Sequence, residues 1–319
     1  MQRQPKGRQT LTPCLPPLLW NGQERFCSHT QFMSSEQPRA VADKHTTTVE
    51  TEKYEFVACA MQGWRKTMED AHVLEFEVLN DRRNFLLAVF DGHNGGKIAK
   101  WCSENLARVL TSSPSWAAAD YKAALTESYL TMDRELRGVF GAADDGGCTA
   151  VSVLCIDNRL YCANVGDSRA VLYRAGDAVV PLSYDHKPTE QAEIDRVVAA
   201  GGTVSGGRVG GMLALTRALG DFELKEPGVE PLKQIISPMP DVREEAFVPN
   251  SDKFIVVACD GIWETKTNED VGRVLEDALR SVDNDLGLAC EALLDQCTAS
   301  CNYGLGTDNM TVLVVRRRL

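Results

Sequence analysis

Two six-residue apolar runs, Phe85–Phe90 and Phe254–Cys259, each stop on an Asp-Gly pair, Asp91–Gly92 and Asp260–Gly261. A strand that shows no polar side chain on either side of its pleat must be covered on both faces. The chain therefore has to place layers above and below at least two central strands. An ionised carboxylate at the end of such a strand is expensive to desolvate unless something cationic meets it. The glycine beside it lets the backbone approach closely, so that its carbonyl can also act as a ligand. Asp-Gly is also the strongest short turn signal, and for either pair taken alone a hairpin turn is the simpler reading.

The rest of the pattern supplies the layers. Strands are expected at Tyr54–Met61, His72–Leu79, Thr149–Ile156, Arg159–Val165, Arg169–Tyr173, Ala178–Leu182 and Met310–Val315. Ile98, Trp101, Cys102, Leu106, Val109 and Leu110 fall on one helical face, and a second helix is expected over Ala117–Arg137. Pro188 opens a helix that Gly201–Gly202 stops. Thr267 and Asp270 form a capping box ahead of a helical run, and a last helix covers Leu286–Cys301. Residues 205–240, rich in Gly and Pro, read as a long irregular excursion. Strands crowd the middle and helices come in separate groups, which predicts an α+β fold with packed sheets inside and helices outside.

Residues 1–50 lack this patterning and read as a disordered N-terminal extension, leaving residues 51–319 as one domain. Within residues 1–30, Arg3, Lys6, Arg8 and Arg25 outnumber the single acid Glu24, so an organellar presequence there is the alternative. The apolar patch at Leu11–Trp20 is broken by Pro13, Pro16 and Pro17, unlike a signal-peptide core, and Gln2 rules out N-myristoylation from this start. No apolar stretch has the length of a membrane span. Forty-five acids against thirty-four bases give a net charge of −11, which disfavours nucleic acid and leaves carboxylates for cations. The eleven cysteines are scattered, several of them inside apolar runs. They fit a reducing intracellular compartment, cytoplasmic or nuclear, rather than a disulfide framework.

Further acids sit in positions like those of Asp91 and Asp260. Asp167 follows the run Tyr161–Val165 through Gly166, Asp308 precedes the last apolar strand, and Glu69–Asp70 lies between the first two strands. An oxygen-only donor set suits Mg²⁺ or Mn²⁺ rather than zinc or copper. Carboxylates gathered around one cleft repel each other unless divalent ions neutralise them, which is what a two-metal hydrolase does.

These segments carry a resemblance. Met61-Gln-Gly-Trp-Arg-Lys-Thr-Met-Glu-Asp-Ala-His72, Val89-Phe-Asp-Gly-His93, Gly147-Cys-Thr-Ala150, Ala163-Asn-Val-Gly-Asp-Ser-Arg169 and Asp185-His-Lys-Pro188 come first. Arg217-Ala-Leu-Gly-Asp221, Ala258-Cys-Asp-Gly-Ile-Trp263 and Gly306-Thr-Asp-Asn309 follow. In this order, over residues 54–316, the chain resembles the protein phosphatase 2C family of metal-dependent serine/threonine phosphatases. The resemblance implies two antiparallel sheets packed face to face, flanked by pairs of helices, with a metal cleft at one end. It implies that Asp91 bridges two Mn²⁺ or Mg²⁺ ions and that the Gly92 carbonyl binds one of them. Asp260 and Asp308 would ligate the other, Glu69 and Asp70 would hold coordinated waters, and Asp167 would join Asp260 at a third, weaker site. Arg65 matches the residue that grips the substrate phosphate, and His93 matches the general acid. The implied reaction is direct attack of a metal-bridging water on phosphoserine or phosphothreonine in protein substrates, by a monomer. Asn309 is expected to shape the site. Cys148, Gly210 and Glu264 depart from the family's commoner serine, asparagine and aspartate, and Cys148 lacks the Cys-x5-Arg loop of a cysteine phosphatase. A catalytically dead scaffold would be expected to have lost a metal carboxylate. A phosphatase of small esters or nucleotides would be expected to have a closed pocket.

Overall fold

A computed structural model describes residues 36–248 and 251–318. In chain order the first elements are β1 (Glu36–Glu50), β2 (Tyr54–Arg65), β3 (Ala71–Glu75), β4 (Phe85–Phe90), β5 (Gly92–His93), α1 (Lys97–Thr111), α2 (Pro114–Ala117) and α3 (Tyr121–Phe140). Then come β6 (Gly147–Cys148), β7 (Ala150–Ile156), β8 (Arg159–Val165), β9 (Arg169–Arg174), β10 (Val179–Pro181) and α4 (Gln191–Ala199). A short hairpin, β11 (Val204–Ser205) and β12 (Arg208–Val209), precedes β13 (Leu219–Gly220), β14 (Asp241–Ala246) and β15 (Asp252–Ala258). The chain ends with α5 (Asp260–Trp263), α6 (Asn268–Ser281), α7 (Leu286–Cys297) and β16 (Met310–Arg317).

The alternation of side chains along the two apolar strands generates the layers. On β4, Leu86, Ala88 and Phe90 face a core with Cys102 and Leu106 of α1 and Leu125 and Met132 of α3. Phe85, Leu87 and Val89 point the other way, into a second core shared with Ile255, Val257 and Leu313. On β15, Phe254, Val256 and Ala258 meet Leu275 of α6 and Leu293 of α7 in a third core. Both strands are thus buried on both faces, as their composition requires. The six-stranded sheet runs β1-β2-β16-β15-β9-β10 and the five-stranded sheet runs β14-β8-β7-β4-β3, antiparallel throughout. This is the expected α+β sandwich, with α1 and α3 on one side and α6 and α7 on the other.

One end of the sandwich is closed by aromatic rings. Tyr54 lies edge-on to Phe85 at 5.4 Å and stacks on Phe247 at 6.0 Å, and Phe56 meets Phe85 at 5.4 Å. The Arg317 guanidinium caps Phe247 at 4.4 Å. Such aromatic pairs contribute beyond the area they bury.

Several boundaries differ from the sequence expectation. The extension read through residue 50 is corrected, because residues 36–50 form strand β1, antiparallel to β2; the reading of residues 1–35 lies outside the described residues. Thr46 donates to Glu291 Oε1 at 2.7 Å and Lys44 pairs with Asp295 at 2.6 Å, which ties β1 to α7. The strand expected over His72–Leu79 stops at Glu75 and gives way to a 3₁₀ turn at Val78–Asn80. The helix expected over Ala117–Arg137 is two helices, because Ala119 adopts φ +57° and Asp120 caps α3 by accepting from the Ala123 N–H. The helix expected at Pro188 begins at Gln191, and the last helix ends at Cys297 rather than Cys301. The long excursion has a small core of its own, Val197, Val209, Leu215, Ala218 and Ile236. Beside it Arg217 is buried between Glu193 (2.5 Å) and Asp241 (2.8 Å).

Candidate metal centre

The two Asp-Gly pairs stand at strand ends of opposite sheets. Asp91 leaves β4 of the five-stranded sheet, its N–H donating to Thr149 Oγ1 at 3.3 Å and its carbonyl accepting from Thr149 N–H at 2.9 Å. Asp260 leaves β15 of the six-stranded sheet and opens the single turn α5. That turn is pressed against the neighbouring chain: a Cβ on Gly261 would collide with the Asn309 carbonyl oxygen. Asp308 lies at the mouth of β16, next to Arg65 at the end of β2, whose Nη2 is 2.5 Å from Asp308 Oδ2. Asp70 accepts from Thr311 Oγ1 at 2.7 Å through Oδ2, while its Oδ1 is buried without a hydrogen-bond partner. Oδ1 of Asp260 is buried in the same condition.

Asn309 holds the segment that carries Glu69 and Asp70. Its Oδ1 accepts from Glu69 N–H at 2.9 Å, and its Nδ2 donates to the carbonyls of Gln62 (2.8 Å) and Thr67 (3.0 Å). Glu69 in turn accepts from Thr67 Oγ1 at 2.6 Å and from Gly95 N–H at 2.9 Å.

The electrostatics show one connected cluster. Burial raises the Asp91 carboxyl well above the usual range, and the charges of Asp260, Asp70, Asp308 and Asp167 raise it further. Asp260 is raised well above the usual range by burial and then by Asp167, Asp308 and Glu264. Burial lifts Asp70 to about 6 against its bond from Thr311, and lifts Asp167 to about 6 although Lys187 opposes it from 3.5 Å. Asp308 is raised by burial, with Arg65 working against the shift. Five carboxylates from both sheets therefore penalise each other's ionisation, and two of them keep an unpaired buried oxygen. That condition fits a group of positive charge with an oxygen coordination shell, as Mg²⁺ and Mn²⁺ have. Ligand atoms of Asp70, Asp91 and Cys259 lie within 4.8 Å of one another. The Cys259 sulfur accepts from Thr311 N–H at 3.1 Å, and burial raises its thiol well above the usual value, so the donors that remain are oxygens.

His93 lies on β5 and its Nε2 is 2.7 Å from Asp221 Oδ1. Burial lowers the imidazole pKa, but the Asp221 charge and hydrogen bond outweigh burial and raise it. Cys148 is fully buried, with its sulfur 3.9 Å from that of Cys102, and burial holds its thiol well above the usual value. That environment is wrong for a nucleophile. The structure thus gathers the carboxylates of Asp70, Asp91, Asp167, Asp260 and Asp308, brings Arg65 onto Asp308, and sets Glu69 close enough to act electrostatically on Asp308 and His93. The Gly92 backbone lies in β5, paired with Cys148. Sequence reasoning gave no chemical part to Asp221, Lys187 or Thr311. Asp221 ends a segment already singled out, and a carboxylate following a glycine there was the available signal.

The sequence profile described as "Protein phosphatase 2C" matches residues 54–303. Protein phosphatase 2C homolog 3 of Schizosaccharomyces pombe is 45% identical over 284 residues, covering 86% of this chain and 67% of that protein. Probable protein phosphatase 2C 5 of Paramecium tetraurelia is 38% identical over 293 residues, covering 88% of this chain and 97% of that protein. Among solved structures, a phosphatase of Toxoplasma gondii superposes with a TM-score of 0.74 at 25% identity, covering 86% of this chain and 96% of that one.

Proposed function

We propose, from the premise that this chain belongs to the protein phosphatase 2C family and is therefore a protein phosphatase, that it removes phosphate from phosphoserine and phosphothreonine in protein substrates with the help of divalent cations. The observation that carries the reading is the mutual penalty on Asp70, Asp91, Asp167, Asp260 and Asp308, drawn from both sheets into one cluster. Asp91, the Gly92 carbonyl, Asp260 and Asp308 would hold two ions, Glu69 and Asp70 their hydration, and Asp167 with Asp260 a third, weaker one. Bound Mn²⁺ or Mg²⁺ supplies a water acidified to near neutral pH and an electrophile for the phosphoryl oxygens.

The remaining work falls to side chains. Arg65, its side chain 46% exposed beside Asp308, presents planar donors that match two phosphate oxygens at once. His93 holds a proton for the leaving serine or threonine oxygen, whose high basicity makes acid assistance valuable. Asn309 fixes the backbone of Glu69 and so the position of both acids on that segment. Thr311 holds one oxygen of Asp70 and leaves the other turned to the cluster.

No described helix is long and apolar enough to cross a membrane. The described cysteines are all free, which supports a reducing compartment. The test is release of inorganic phosphate from phosphothreonine, phosphoserine and phosphotyrosine peptides and from a nucleotide, with Mn²⁺ or Mg²⁺ and again with chelator. Turnover of the first two, lost on chelation and in Asp260→Ala, is the expected result. Turnover undiminished by chelation, or confined to the nucleotide, would overturn it.

A further inference from the structure

We propose that Asp221 is the positioning residue of His93: its carboxylate fixes the imidazole's plane and tautomer so that Nδ1 is the nitrogen offered to the leaving oxygen. This rests on the general-acid reading of His93 given above. The contact is a 2.7 Å bond between His93 Nε2 and Asp221 Oδ1. Because that bond commits the Nε2 proton to the carboxylate, Nδ1 is the ring nitrogen left for proton transfer.

The surrounding backbone is built around this pair. His93 and Asp221 are 128 residues apart. They meet across a three-stranded sheet ordered β13-β6-β5, in which Gly147 pairs with both His93 and Gly220. Gly147 is the centre of the arrangement. A Cβ there would lie 2.5 Å from His93 Nε2 and closer still to Asp221 Oδ2, so any other residue would push the two apart. Asp221 itself takes φ +50° and ψ +47°, a left-handed conformation that few residues other than Gly, Asn and Asp accept. Its N–H donates to the Gly146 carbonyl at 2.9 Å, and the adjacent Gly220 N–H donates to Asp133 Oδ1 at 3.0 Å. The residue is thus pinned at its own N–H and at its neighbour's, and its carbonyl accepts from Leu224 N–H at 3.0 Å.

A tie between two strands would not need this design. The Asp221 side chain is 4% exposed, and its second oxygen, Oδ2, is buried without a hydrogen-bond partner. Leaving a carboxylate oxygen in that state is costly, and a neutral amide or hydroxyl could bridge the strands with less penalty. A full negative charge is worth placing there when its partner carries a positive charge for part of the cycle. The arrangement has the logic of a buried carboxylate that orients a histidine from behind while the opposite ring nitrogen handles the proton.

The experiment compares Asp221→Asn, His93→Gln and the double variant in single turnover at saturating Mn²⁺, on a phosphothreonine peptide and on p-nitrophenyl phosphate. A general acid is worth roughly 10²–10⁴-fold, and an imidazole that is present but wrongly held should forfeit part of that. Asp221→Asn is therefore expected to slow the peptide about 10–100-fold and the aryl ester less than about threefold. In the His93→Gln background it should slow the peptide no further. Equal losses on both substrates, or additive losses in the double variant, would overturn the positioning role while leaving the general acid standing. A His93→Gln variant that does not discriminate between the substrates would remove the general acid, and the inference with it. Should Asp221→Asn fail to fold, long-range ¹⁵N–¹H correlation of the wild-type histidines with Mg²⁺ decides. The inference expects a His93 ring protonated at Nε2, and a neutral ring protonated only at Nδ1 would overturn it.

Discussion

Replacing Asp70 with Asn should make the cation-free protein more stable and the cation-loaded protein relatively less so. In the cation-free state burial holds the Asp70 carboxyl at about 6 against an ordinary value of 3.8. That gap of about two units, at 1.36 kcal/mol per unit, corresponds to about 3 kcal/mol of penalty on the ionised native state. The sign follows from proton counting. Between about pH 4 and 6 the native state binds the proton that the unfolded state has released, so the penalty grows as pH rises through this window. It is complete above about 6 and absent below about 4. Asn keeps the bond from Thr311, and its amide replaces the unpaired oxygen with a donor near Asp91. Burying the amide takes back part of the gain, leaving about 1–3 kcal/mol, or roughly 2–10 °C in thermal midpoint for a domain of this size. Cations offset this advantage, because ligand at a hundred times its Kd stabilises the parent by about 2.7 kcal/mol and a variant that binds more weakly by less. The assay is calorimetry of parent and variant in chelator across about pH 4–8, repeated with Mn²⁺. Equal midpoints in chelator at about pH 7.5, or a gain as large at pH 4.5 as at 7.5, would refute the reasoning.

Three further outcomes can be checked. His93→Gln should slow a phosphothreonine peptide by roughly 10²–10⁴-fold and p-nitrophenyl phosphate far less, whereas Arg65→Ala should slow both, measured in single turnover. Arg217→Met should cost about 1–3 kcal/mol in urea unfolding, since it takes both donors from Glu193 Oε1 and leaves that carboxyl only Arg196 and Thr216, at Oε2. A chain starting at residue 51 should melt lower and aggregate more readily than one starting at Glu36, because removing β1 bares the hydrogen-bonding edge of β2; equal melting of the two would count against this.

How much of this was legible depends on what each residue answers to. Asp91 and Asp260 could be read because an acid at the end of a doubly buried strand conflicts with its local environment, and the conflict is visible in a linear string. The β4 and β15 faces were equally plain, since six apolar residues in a row require cover on both sides of the sheet. Strand β1 was missed because Thr46, Thr47 and Thr48 among charged residues show no apolar alternation. The β-branched threonines were the weak sign of a strand that packs at an edge. The break at Ala119 was hidden for a different reason: alanine is the best helix former, and the turn is set by the Asp120 cap instead. Asp221 was hidden because its meaning lies in a partner far away in sequence.

The aromatic closure at the end of the sandwich remote from the carboxylates has a mechanical consequence. Strand β4 starts at Phe85, in that cluster, and releases Asp91 about 20 Å further on. On the facing sheet β2 runs the same course, from Tyr54 to Arg65. A pivot at these rings would make the strands lever arms, with the acids at their tips. A rotation of one degree between the sheets, carried over about 20 Å, moves a carboxylate by about 0.3 Å, more than the roughly 0.2 Å tolerance of a metal–ligand distance. Tyr54, Phe85 and Phe247, far from the acids, would then share in setting the spacing of any cation held between the strand tips.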